Sequence, residues 1–396
     1  MILRNVVRSL AHTVLVRRLK GPYVHESENC WQALLPDHQE LADTPDESRR
    51  SPLLLFENRR PLGPPHCPPP IVRSLGRGQY VHSGDSVFFS TSDNSNPNAN
   101  GRTYSYAISP WLYARSATLP ANLRKPDCNT PAIERNLTDA LGAVRVINLH
   151  YETSGQARSF AGKTVLELGS GFNCGRVLLF ACYGAKPIVV DRYLADWNQD
   201  YHPQFYARFR DEAAKYEEGC DIAPLSKLID AGRFTDETIT RCETPVELIS
   251  LPDRSVDVVF SRQVLEHVYD PPAAISQLYR VTKPGGFGYH WIDVRDQRRF
   301  DKPLEYLLLS KSTFTRKFGL FRGEIGNRLR PNEFDALFRQ CGFEVVSFKV
   351  HQFVDRNYLK RFTPRLRKAA DSPYQNCPKE DLVPLGGLFC LKRPDP

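Results

Sequence analysis

The ten residues LELGSGFNCG, at positions 166–175, constrain this chain more than any other stretch. An apolar run enters the segment, glycine and small polar residues fill it, and a second apolar run leaves it. That is the pattern of a strand turning through a tight loop into a helix. The alternation continues downstream. Residues 164–168 are strand-like, 175–183 helical, 187–191 strand-like and 203–217 helical, and later strands at 255–261 and 286–294 flank a helix at about 272–281. Strands that alternate with helices predict a doubly wound α/β fold, a parallel sheet with helices on both faces. Near the carboxyl end, FEVVSFKV (343–350) and LFCLK (388–392) predict a terminal antiparallel hairpin with a long connection. Residues 132–150 have the apolar spacing of one helix leading into this domain.

Glycine loops hold different cofactors, and spacing begins to separate them. A Walker loop needs GK followed by Ser or Thr; here Gly175 precedes Arg176 and Val177, which disfavours nucleotide hydrolysis. The dinucleotide fingerprint G-x-G-x-x-G puts its third glycine where this chain has Cys174, and Gly175 comes one residue late. The pattern is instead E-x-G-x-G-x-x-x-G, on Glu167, Gly169, Gly171 and Gly175. A carboxylate at the mouth of the loop repels a pyrophosphate and attracts an ammonium group. Asp191 closes the next predicted strand, where a carboxylate accepts hydrogen bonds from both hydroxyls of a ribose. On spacing alone this suits NAD as well as S-adenosylmethionine.

The downstream segments discriminate. VELISLPDRSVDVVFSRQVLEHVYDP, followed by LYRVTKPGGFGYHWIDV, resembles the second half of a class I S-adenosylmethionine-dependent methyltransferase of the type 11 kind. The shared features are Leu-Pro, an acid and a Val-Asp pair before the fourth strand (251–257), a polar loop with a V-L-E-H helix start (261–267), and K-P-G-G (283–286). With the glycine loop, the resemblance covers about residues 135–350. It implies a seven-stranded Rossmann-like sheet and S-adenosyl-L-methionine as cofactor. It implies that Gly169, Ser170 and Gly171 let the backbone approach the methionine part of that cofactor, with Glu167 near its amino group. Asp191 would hold the ribose with Arg192 along the adenosine, Glu247 would sit near the adenine, and Ser261, Arg262 and Gln263 would line the cofactor.

Methyl transfer from a sulfonium is an in-line displacement, so alignment in a desolvated site does much of the work. A hydroxyl nucleophile also needs a base. YHWID, at the end of the fifth strand, offers His290 and Asp293 where such sheets place substrate groups. His290 is the candidate base, with a buried, hydrogen-bonded histidine as the plain alternative; His267 is a weaker candidate. A substrate insertion is expected at about 295–332, where Asn327, Arg328 and Arg330 are candidates to bond an acceptor's hydroxyls and its carboxylate or phosphate. HWIDVRD, NRLR and NEFDALFRQCGFEVV resemble a subgroup that modifies sugars and surface polysaccharides, so O-methylation of a glycan or glycolipid is the leading expectation.

A chain of 396 residues exceeds one ordinary domain. The expected division is a basic amino-terminal helix with a short helical segment (1–50), a small β-rich module (51–125) and the methyltransferase domain (130–396). NCWQALLPDHQELA reads as a short helix, and the proline-rich residues 43–75 as an extended or polyproline path. LLLF, VFFS and RTYSYAI read as strands around the polar run STSDNSNPNANGR, which is a tight loop of Asx turns or, more sharply, a sugar or ion site. The first twenty residues suit a basic amphipathic helix packed on the protein's own body, a membrane-surface helix or a transit peptide. Ten cysteines without a CxxC pair or His/Cys cluster read as reduced thiols, and no metal is expected. No apolar run nears the roughly 20 residues of a membrane span, so a cytoplasmic protein, at most peripheral to a membrane, is expected. A net charge of +8 and the acid-free run at 356–368 motivate RNA methylation as a rival, though no NPPY-like tetrapeptide or catalytic cysteine motif accompanies them. A non-catalytic glycan- or partner-binding protein on the same fold is the third reading.

Overall fold

Pairing between strands, more than local helical spacing, decides the amino-terminal part of the chain. The computed structural model describes residues 16–44, 49–108, 126–155, 160–215, 220–268, 270–297, 299–318 and 327–395. They belong to two compact units, Met1–Pro120 with Ser312–Gly323, and Ala121–Lys311 with Glu324–Pro396. The first contains strands β1 (Arg17–Arg18), β2 (Val24–Ser27), β3 (Cys30–Leu34), β4 (Leu53–Glu57), β5 (Arg60–Pro61), β6 (Tyr80–Ser83), β7 (Ser86–Phe89) and β8 (Tyr104–Ile108). Two four-stranded sheets result, ordered β1-β8-β4-β5 and β2-β3-β7-β6, with Leu53, Leu55, Tyr80, Val87, Phe89 and Tyr104 in the core.

Three expectations change here. Residues 30–34 are not helical: they pair with β7 from Trp31↔Phe89 to Leu34↔Ser86, and this ladder outweighs a weak helical pattern. Only Pro36–Leu41 turns, as a 3-10 helix. The proline-rich run holds β4 and a helix α1 (Pro69–Ser74), whose prolines occupy the first turn, where a missing N–H costs nothing. Residues 1–15, most of the expected basic helix, lie outside the described residues, while Arg17 and Arg18 pair with β8. The polar loop closes on itself: Arg102 pairs with Asp93 and Glu57, Ser92 donates to Glu57, and Asn100 donates to the Tyr104 hydroxyl at 2.9 Å. Its side chains are engaged as a tight loop requires.

In the second unit β9 (Thr164–Leu168), β10 (Lys186–Asp191), β11 (Thr240–Glu243), β12 (Val256–Arg262) and β13 (Thr282–Asp293) run parallel. β15 (Pro384–Lys392) is inserted antiparallel between β13 and β14 (Glu344–Phe353), which gives the order β11-β10-β9-β12-β13-β15-β14. The terminal hairpin therefore forms, with β14 at the sheet's edge. Winding reverses between β9 and β12, and beyond the carboxyl ends of those two strands lies the crevice where open α/β sheets bind ligands.

Successive side chains of a strand face opposite ways. Val165 joins one core with residues of α2 (Thr130–Leu141), α3 (Val144–Ser154), α4 (Gly175–Cys182), α5 (His202–Ala213) and α6 (Ala223–Ala231). Leu166 and Leu168 join the other, with residues of α7 (Pro271–Val281) and α8 (Pro331–Gln340). The single helix expected at 132–150 is two, because the chain breaks at Gly142. β11 and α6 have no counterpart in the sequence reading. The acid-free run forms α9 (Arg356–Arg367), which buries Leu359, Phe362 and Leu366 on one side. Among the described residues no helix is long and apolar enough to cross a membrane.

Candidate active site

The glycine turn caps β9. Gly169 and Gly171 both adopt left-handed backbone at φ +64°, which glycine enters without the steric cost other residues meet. They differ in surroundings. A Cβ on Gly169 would lie 2.4 Å from a methyl carbon of Val264, whereas one on Gly171 would meet nothing within 4 Å. The turn thus presses against the segment after β12 on one side and is open over Gly171. Ser170 is buried and donates to the Gly171 carbonyl at 3.2 Å. Cys174 is left-handed as well, at φ +51°. Gly175 begins α4 and supplies the close approach: a Cβ there would lie 2.6 Å from the Cβ of Ala140 on α2. The late glycine therefore serves helix–helix packing. From α5, His202 donates to the Phe172 carbonyl at 2.8 Å, and the Tyr206 hydroxyl donates to the Asn173 carbonyl.

Glu167 is not at the mouth of this turn. Its side chain is fully buried; Oε1 accepts from Arg176 Nε at 2.6 Å and Oε2 from the Val177 amide at 3.1 Å. Burial pushes this carboxyl up, and the guanidinium and the amide oppose that shift. The expectation that Glu167 attracts an ammonium group is corrected accordingly: its charge is matched inside the protein. Arg176 also pairs with Asp139 at 2.5 Å and donates to the Gly169 carbonyl at 3.3 Å, so the pair fixes the turn from beneath. Arg262, exposed at the end of β12, makes a second ion pair to Asp139.

Asp191 ends β10 next to β9, and its Oδ1 accepts from the Tyr193 amide at 3.1 Å; Arg192 follows it, half-buried. Glu247 is buried in the turn Val246–Leu248, where Oε1 accepts from the Asp270 amide at 3.3 Å, at the start of α7. The motif residues Asp257 and Lys283 lie at the opposite end of the sheet. Their 2.6 Å ion pair, with the Thr164 amide 2.8 Å from the same Asp257 oxygen, ties the strands β9, β12 and β13 together near their starts.

His290 is placed by β13 inside the sheet, with no exposed surface. Its Nδ1 lies 2.9 Å from Ser261 Oγ on β12, and its ring stacks 5.9 Å from Phe338 of α8. Burial pushes its pKa down to about 3. A base must reach the proton it removes, and His290 faces the core, so the sequence-based assignment of His290 as base is corrected; Ser261 is likewise its core partner. Asp293 ends β13, 3% exposed, and binds Arg295 through Nε at 2.9 Å and the terminal nitrogen at 2.6 Å. Gln263, left-handed at φ +57°, donates to Asp293 at 3.3 Å.

Beside Asp293 lies a small cavity of about 20 Å³, room for a water-sized group. It is lined by Glu266, His267, Arg295, Asp296, Tyr306 and Arg328, with Asn327 and Asp293 also in its wall. Glu266 was missed by the sequence reading. It sits in the 3-10 turn Leu265–His267, buried, with Oε1 accepting from the Asp293 amide at 3.1 Å and Oε2 without a hydrogen-bond partner. Burial, with the neighbouring Asp293 carboxylate adding to it, raises this carboxyl to about 8. The signal for it was the acid in V-L-E-H, which reads locally as a helix start.

All three expected acceptor residues have partners within the protein. Asn327 donates to the carbonyls of Leu265 and Val268 at 2.8 and 3.0 Å, fixing the Glu266 turn. Arg330 is fully buried in a cage of carbonyls, donating to Val294 at 3.1 Å, to Asp381 at 3.2 Å and to Pro384. A guanidinium so enclosed does not face an acceptor, which corrects that expectation. Arg328 donates to the Leu309 carbonyl at 2.6 Å and lines the cavity.

Residues 204–289 match the protein family described as a methyltransferase domain. The chain is similar to malonyl-[acyl-carrier protein] O-methyltransferase of Serratia marcescens, 34% identical over 82 residues, which is 21% of this chain and 31% of that protein. It is similar to the ubiquinone biosynthesis O-methyltransferase of Pseudomonas putida, 30% identical over 118 residues, or 26% of this chain and 48% of that protein. It thus spans 31% and 48% of the length of these two curated relatives. A solved SAM-dependent methyltransferase from Methanosarcina mazei aligns with 59% of this chain and 93% of its own at 17% identity and a TM-score of 0.33, a likeness too slight to add to the assignment. The family match thus assigns residues 204–289 of the second unit to a methyltransferase domain, with the glycine turn and Asp191 on the preceding strands of the same sheet.

Proposed function

We propose that this chain moves the methyl group of S-adenosyl-L-methionine to an oxygen of a hydroxylated small molecule, with a glycan or glycolipid as the particular acceptor class. The observation that carries the reading is the open left-handed turn over Gly171 at the end of β9, with Asp191 at the end of the neighbouring strand. The residues present fit the cofactor. The turn leaves room above Gly171, the Asp191 carboxylate suits a ribose diol, and Arg262 and Gln263 end the strand on the other side. When bound, that molecule supplies an activated methyl group. The chain's own task is to hold an acceptor in line and away from water. Oxygen as the accepting atom is supported by the names of both curated relatives, which are O-methyltransferases. The glycan class rests on the sequence segments described above.

Calorimetry tests the first half: S-adenosylmethionine should bind the full chain, and Asp191→Ala should weaken binding at least tenfold, as loss of a charged hydrogen-bond partner does. A folded wild type that binds none refutes the reading. Methyl-labelled cofactor incubated with cell fractions then identifies the acceptor. Label in the carbohydrate or glycolipid fraction supports the finer reading, and label confined to RNA overturns it.

A further inference from the structure

We propose that Glu266 is the group that takes the proton from the acceptor hydroxyl, and that the cavity beside it is where that hydroxyl binds. The inference rests on the methyl-transfer reading above. It starts from an accounting of buried polar atoms, roughly nine in ten of which have partners in folded proteins. Glu266 Oε1 has one, the Asp293 amide at 3.1 Å, while Oε2 has none although the residue is only 6% exposed. Glu266 belongs to the wall of the cavity, whose volume of about 20 Å³ admits a group the size of a water or a hydroxyl.

Position supports the assignment. Glu266 follows β12 by four residues and touches the last residue of β13, so it stands at the carboxyl ends of the strands flanking the crevice. Val264, two residues before it, is the side chain against which Gly169 of the cofactor turn is pressed. The turn holding Glu266 is itself fixed by Asn327 through two carbonyls. The ionisable groups that share the cavity with it are Asp293 at the end of β13, Arg295 and Asp296 after it, His267 on its own turn, Tyr306, and Arg328. Asp293 is matched by Arg295, whereas no described ion pair includes Glu266. Its pKa of about 8 lies close to neutrality, where a base combines strength with availability.

The step balances with no further reagent. The acceptor oxygen forms its bond to the methyl carbon, the carbon–sulfur bond breaks with its electron pair left on sulfur, and the hydroxyl proton passes to Glu266 Oε2. That proton is then lost to solvent.

The test has two readouts on the full chain. In protein labelled with 13C at glutamate carboxyls, the resonance absent from Glu266→Gln should titrate with a midpoint of about 8; a midpoint near the ordinary glutamate value of about 4.3 overturns the proposal. Transfer of labelled methyl into the fraction that wild type modifies should rise about tenfold per pH unit below that midpoint and then level off. Glu266→Gln should transfer at least about a hundredfold more slowly, with no such limb and unchanged calorimetric affinity for S-adenosylmethionine. Should that variant not fold, Glu266→Asp must keep the limb with a moved midpoint; an unmoved limb overturns the assignment. Full transfer by Glu266→Gln overturns the proton-acceptor role and leaves methyl transfer standing. A wild type that binds no S-adenosylmethionine overturns the reading beneath both.

Discussion

Replacing Arg176 by Met asks what Glu167 is for. The carboxylate is fully buried and held by Arg176 Nε at 2.6 Å and the Val177 amide at 3.1 Å. Removing one partner of a buried pair leaves an uncompensated charge and costs about 3–5 kcal/mol. Protonation offers an escape: neutralising a carboxyl with an ordinary pKa of 4.5 at pH 7 costs about 1.4 kcal/mol per pH unit, or roughly 3 kcal/mol. The expected loss at pH 7 is therefore about 3 kcal/mol. It should shrink toward pH 5, because the stranded carboxyl of the folded variant is protonated there at little cost. Glu167→Gln in the same chain removes the charge and should recover at least half of the loss. Urea unfolding followed by far-UV circular dichroism and by fluorescence reads this, with Trp197 and Trp291 in the second unit and a separate transition allowed for the first. A loss below about 1 kcal/mol for Arg176→Met, or no recovery in the double variant, would refute the claim that Glu167 exists to match Arg176.

Three further outcomes are expected. Gly175→Ala places a Cβ 2.6 Å from that of Ala140 and should destabilise by about 1–3 kcal/mol through overpacking, with Ala140→Gly restoring part of it in a double-variant unfolding cycle. His150 and His290 are depressed from 6.5 to about 4 and about 3, so the unfolded chain binds protons first as pH falls below 6.5. Together they should remove roughly 4 kcal/mol of stability between pH 7.5 and pH 5, and His290→Asn should flatten that slope by about half in unfolding measured at each pH. Arg330→Met strands the carbonyls of Val294, Asp381 and Pro384 and should lower stability by about 2–4 kcal/mol; a merely weakened acceptor interaction at full stability would restore it to the acceptor site.

What was legible in the sequence is what neighbours along the chain determine. Short apolar runs located β9, β10, β12 and β13, and the glycine spacing located the turn, because strand and turn geometry are set within a few residues. Residues 30–34 escaped because their strand depends on β7, more than fifty residues later. The site roles failed in the same way. His290 looks catalytic at the end of a strand until Ser261 and Phe338 enclose it, and Arg330 looks like an anion receptor until Val294, Asp381 and Pro384 close around it. Glu266 was hidden for the converse reason: an acid between Leu265 and His267 gains significance only when Asp293 and the cavity are brought beside it.

Cys174 and Gln263 hold left-handed backbone that a side chain enters at a cost of roughly 1–2 kcal/mol each. One stands just before α4, in the turn that follows β9, and the other just after β12, the strand beside it. Glycine at either place would relieve the conformation, so a chain selected for durability alone would carry glycine there. Keeping Gln263 retains the amide that donates to Asp293, and keeping Cys174 retains a thiol 3.5 Å from the Ser170 hydroxyl. The sheet's outer parts are thus free to drift toward greater robustness, while the rim of the crevice stays permanently short of its best attainable stability.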